Sequence, residues 1–87
     1  MSVKLSGIIE LLDAIDAVRR KFDMSSTEGY ILQDEKGTSL GRVYAPYLIN
    51  TANQNPGKAV WFVRDNGQRI CSVTSLAKDE YELLEAE

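Results

Sequence analysis

The chain predicts a single α+β domain over residues 1–87, in the order α-β-β-(α)-β-β-α, and three observations carry that prediction. Apolar residues recur at helical spacing near the N-terminus, an Asn-Gly pair divides two strand-like runs, and an earlier segment repeats the same run-turn-run pattern. The expected architecture is a four-stranded antiparallel sheet built from two β-hairpins. An N-terminal amphipathic helix packs on one face, and a short middle helix and a C-terminal helix complete the set.

From Ser6 to Phe22 the residues Ile8, Leu11, Ile15, Val18 and Phe22 alternate spacings of three and four, which aligns them on one helical face. Leu5, Ile9 and Leu12 widen that face. Acidic residues fall in the early turns and Arg19, Arg20 and Lys21 in the last, as the helix dipole favours, and Ser6 is positioned as an N-cap.

The first hairpin runs from Tyr30-Ile31-Leu32-Gln33 through Asp34-Glu35-Lys36-Gly37 to a return strand ending at Tyr44. Gly37 suits the left-handed position of a three-residue loop with a bulge, and the resulting register sets Tyr30 against Arg42. The second hairpin turns at Asn66-Gly67, which suits a two-residue type I′ loop. That register sets Arg64 against Arg69, Phe62 against Cys71 and Val60 against Val73. The likeness of the two hairpins is read as shared hairpin grammar rather than as duplication.

Between the hairpins, Pro46 suits a first helical position, Leu48, Ile49 and Ala52 make a short apolar stripe, and Asn55-Pro56-Gly57 ends it. Over 76–87, Ala77, Tyr81 and Leu84 fall at i, i+4 and i+7, with Ser75 as a cap, and predict a helix.

Composition narrows the chemistry. There is no histidine and a single cysteine, Cys71, so the side chain that titrates near neutrality is missing and the common transition-metal ligands are nearly so. No Gly-rich phosphate loop and no calcium-loop spacing occurs. The expectation is therefore a protein without catalytic residues, cofactor or metal. Cys71, among apolar neighbours, reads as a small buried hydrophobe rather than a reactive thiol.

Net charge is −3, but residues 78–87 hold five acids against one lysine, a net of −4, while residues 1–77 are nearly neutral. No basic stripe suited to phosphates appears, so direct nucleic-acid binding is not expected. No apolar run approaches the roughly 20 residues that span a bilayer, which argues against membrane insertion. The lone cysteine and the lack of a secretory-type N-terminus point to the cytoplasm.

These features favour a small protein-protein interaction module that inhibits or regulates a larger protein, in the manner of small phage or plasmid proteins and accessory subunits. A homodimer formed through an exposed sheet face uses the same surface. The partner-binding candidates are the aromatics Tyr44, Tyr47 and Trp61, the arginines Arg64 and Arg69 as an anion-binding clip, and the acids Asp79, Glu80 and Glu82. Two competing readings stand beside this one: a small-ligand binder or enzyme using carboxylate, Tyr, Lys or Arg groups, and an acidic mimic of phosphates that occupies a nucleic-acid-binding protein. The second hairpin keeps apolar residues on both faces, so something must cover each.

Overall fold

The computed structural model describes residues 2–24, 30–43 and 45–86, with the side chains of 41–43 and 45–47 outside that description. The elements are β1 (Ser2–Ser6), α1 (Ile8–Lys21), β2 (Tyr30–Gln33), β3 (Ser39–Val43), α2 (Ala45–Gln54), β4 (Val60–Val63), β5 (Arg69–Ala77) and β6 (Glu80–Glu85). All six strands join one sheet in the order β1-β6-β5-β4-β2-β3, with every neighbouring pair antiparallel.

The mixed α+β layout, the first helix, the middle helix and both hairpins match expectation. The four-stranded sheet and the C-terminal helix do not. Residues 80–85 form a strand inserted between β1 and β5. Tyr81 and Leu83 are buried at 2% and 3% exposure while Glu80 and Leu84 are exposed, a period of two rather than 3.6. Asp79, at φ 60, turns the chain back at the point where a helix would have to continue. At the other terminus, Ser2-Val3-Lys4-Leu5-Ser6 alternates polar and apolar side chains as a half-buried strand does, and pairs with β6 over its whole length.

α1 buries Leu11, Ile15 and Val18, with Leu12 and Phe22 partly buried beside them, whereas Ile8 and Ile9 are exposed at 47% and 77%. Its N-cap is Gly7, not Ser6, and no side chain caps it. Instead the carboxylate of Glu10 accepts the Ser6 backbone N–H at 2.7 Å. α2 runs longer than the one or two turns expected and buries Leu48, Ile49 and Ala52.

Both hairpins close in the same way. Asp34 N–H donates to Thr38 O and Gly37 N–H to Asp34 O, each at 3.0 Å, and Arg64 N–H to Gln68 O and Gly67 N–H to Arg64 O, each at 2.9 Å. Gly37 (φ 85) and Gly67 (φ 89) hold the left-handed position that ends a three-residue loop, so the type I′ turn expected at Asn66-Gly67 is replaced by the longer form. Each return strand then carries a bulge, at Leu40 and at Ile70.

The bulges explain which pairings were anticipated. The longer loop shifts the register by one and the bulge shifts it back. Phe62 therefore does face Cys71 and Val60 does face Val73, but Arg69 faces Val63 rather than Arg64, and Tyr30 faces Val43 rather than Arg42. Turn, glycine and bulge of one hairpin coincide with those of the other after a shift of thirty residues. β2 and β4 pair about Leu32 and Phe62, which are counterparts under that shift, so a local two-fold axis relates the hairpins.

One apolar core results. It gathers the inward residues of both helices with Tyr30, Leu32, Val60, Phe62, Cys71, Val73, Tyr81 and Leu83, which share one face of the sheet. At the Ile70 bulge two successive residues, Ile70 and Cys71, both reach full burial in this core. Both helices therefore lie on the same side.

Candidate functional site: the helix-free face of the sheet

Strand residues alternate between faces, so the residues next to those core positions point away from the helices. Register places Ile31 and Gln33 of β2, Trp61 and Val63 of β4, Arg69, Ser72 and Thr74 of β5, Glu80, Glu82 and Leu84 of β6, and Lys4 of β1 on this opposite face. Among the described residues no helix covers it. Its centre is apolar or neutral: Ile31, Trp61 and Thr74 are half-buried, Val63 and Ser72 are buried at 1% and 2%, and Leu84 is 38% exposed.

Arg69 crosses this surface. Its guanidinium lies 4.6 Å from the centre of the Trp61 ring, where the ring quadrupole attracts a cation. Because Arg69 sits opposite Val63, two positions along β4 from Trp61, it reaches the indole diagonally across the pair. At the other side of the face, Lys4 stands opposite Glu82 on β6.

The expected site residues divide among separate places. Trp61, Arg69, Glu80 and Glu82 share the helix-free face, with Glu80 at its rim. Arg64 turns to the helix side, where its Nη1 donates to the Phe22 carbonyl at 3.1 Å, at the C-terminal end of α1. The two arginines thus do not oppose each other across the hairpin. Asp79 lies in the β5–β6 turn, and its carbonyl accepts the Gly7 N–H at 2.6 Å. Tyr44 and the Tyr47 side chain lie outside the described residues. Sequence patterning does not single out Ile31, Thr74, Leu84 or Lys4; alternation along Tyr30-Ile31-Leu32 is the signal that points to Ile31, while Leu84 falls in an apparent helical seam.

On the helix side, Tyr30 stacks on Phe62 with ring centres 3.7 Å apart, and the buried Arg19 guanidinium lies 5.7 Å and 5.9 Å from the two rings. The Tyr30 hydroxyl is fully buried and makes no hydrogen bond. Burial holds its pKa well above the ordinary tyrosine range, against the opposing pull of Arg19. Burial first, and the Glu85 carboxylate second, push the Cys71 thiol up to about 12, so it stays protonated and unreactive. Glu85 in turn pairs with Lys21 at 3.1 Å and ties the end of α1 to β6.

A crevice of about 420 Å³ opens between Ile8, Asn53, Pro56, Leu76 and Tyr81, where the Tyr81 hydroxyl donates to the Asn53 side-chain oxygen at 3.0 Å. Among the described residues no group of three His, Cys, Asp or Glu side chains could hold a metal ion, and no helix is long and apolar enough to cross a membrane. Comparison with protein-family models, with curated proteins and with solved structures gives no match for this chain.

Proposed function

We propose that this protein works by binding a protein partner through the helix-free face of its sheet, as a small cytoplasmic regulator or inhibitor rather than as an enzyme. The observation that carries this reading is the Trp61–Arg69 stack on a sheet face with an apolar centre. Tryptophan and arginine are the residue types most enriched at binding hot spots. The contact holds the guanidinium over the ring, which reduces the rotamer freedom that binding has to remove. Around it, Ile31 and Leu84 supply apolar area over the buried Val63, and Lys4, Glu80 and Glu82 supply a charged rim.

Quantitative capture from the native host tests the proposal, with wild type, a Trp61→Ser/Arg69→Ser double variant and a Lys36→Ala control as baits. Lys36 sits in the β2–β3 turn, away from this face. A partner that wild type and control retain equally, and that the double variant loses by roughly tenfold or more, supports the reading. Equal capture by all three contradicts it.

A further inference from the structure

We infer that the outer edge of β1 is a pairing surface for a second copy of this chain, and that Glu10 is the latch that closes it. β1 is an edge strand with an unbroken register against β6. In an antiparallel pair alternate residues turn their backbone groups toward the partner. Gly7 N–H reaches Asp79 O at 2.6 Å in continuation of the β1–β6 register, so Leu5 and Val3 also bond to β6, and Ser2, Lys4 and Ser6 point outward. The Ser6 N–H is indeed found on the outer side, where the Glu10 carboxylate accepts it at 2.7 Å.

The strand is self-complementary. Laid antiparallel on its own copy about Lys4, Ser2-Val3-Lys4-Leu5-Ser6 sets Ser2 against Ser6, Val3 against Leu5 and Lys4 against Lys4. Val3, 45% exposed on the helix side, then gains an apolar neighbour, and each Lys4 keeps Glu82 of its own chain beside it. Between Glu10, at Ser6, and Lys21, at Glu85, the stripe of α1 at i+4 and i+7 from Glu10 carries the small residues Ala14 and Ala17. Two features restrain the pairing: Glu10 occupies the Ser6 N–H that the second copy needs, and the two lysines repel across the axis. Edge strands are commonly guarded in these ways. This surface is separate from the helix-free face and does not depend on that face's role.

Two variants test it. Glu10→Ala frees the Ser6 N–H at both ends of the pair, and sedimentation equilibrium should show self-association tightened by roughly a hundredfold over wild type. Circular dichroism confirms that α1 is retained. Lys4→Cys sets two thiols about 5.5 Å apart between Cα atoms across the axis, within disulfide reach, and with Cys71 buried it is the accessible thiol. Under mild oxidation it should form a covalent dimer several times faster than Lys36→Cys. Unchanged association of the folded Glu10→Ala variant overturns the inference, and so does cross-linking of Lys4→Cys at the control rate.

Discussion

Tyr30 combines burial, ring stacking and an unsatisfied hydroxyl in one side chain. A buried polar group without a partner costs stability, so Tyr30→Phe should keep the stack and leave the fold as stable or more stable by up to ~1 kcal/mol, read from urea unfolding. Loss of stability would mean that the hydroxyl is satisfied in solution. Cys71 supplies a second test. Its thiol is raised from the ordinary value of 9.0 to about 12 in the fold, so above pH 9 the unfolded chain releases a proton that the folded chain retains. That contribution is fully present below pH 9 and is lost as pH rises toward 12, and the Tyr30 hydroxyl acts in the same direction at higher pH. Thermal unfolding followed from pH 8 to 11 should show falling stability in wild type and a shallower fall in Cys71→Val.

Sequence periodicity made some elements plain and concealed others. α1 has enough turns for its stripe to stand out, and Asn66-Gly67 marks a hairpin whatever loop type it adopts. β1, with five residues, offers only two apolar positions, too few to compete with the long helical pattern that absorbed Leu5. Across the end of β5 and β6 the spacing Ala77, Tyr81, Leu84 imitates a helix, and what decides for a strand is the pairing of β6 with β1 and β5 on either side, which no local pattern reveals. Leu83→Ala should therefore cost about 2–5 kcal/mol and Leu84→Ala under about 0.5 kcal/mol in chemical denaturation. A helix with its seam at Leu84 would reverse that order. The twin turns give another test. A Cβ at Gly37 or Gly67 meets nothing within 4 Å, so alanine at either site brings only the conformational penalty, about 1–2 kcal/mol and similar at both. Sterically silent, equal losses are the expected result, and no loss would place these glycines outside the left-handed region.

At the scale of the whole molecule, the sheet has one face under two helices and one face that no helix covers among the described residues. The sequence signalled that both faces of the second hairpin are apolar, through Trp61 and Val63 against Phe62 and Val60. It does not disclose that Leu84, Lys4 and Glu82 extend the helix-free face, because β1 and β6 carry no decisive local strand signal, nor that Arg69 lies over Trp61, because the bulge at Ile70 sets that register. Glu80, Glu82 and Glu85 accordingly form part of a strand rather than a solvated helix. The most direct measurement is NMR of isotopically labelled protein titrated with the partner that wild type captures and the Trp61→Ser/Arg69→Ser variant loses. Shifts concentrated at Ile31, the Trp61 indole N–H, Val63, Thr74 and Leu84, with α1 and α2 little changed, are the predicted result. Shifts confined to the helices, with the Trp61 indole unmoved, would contradict the account.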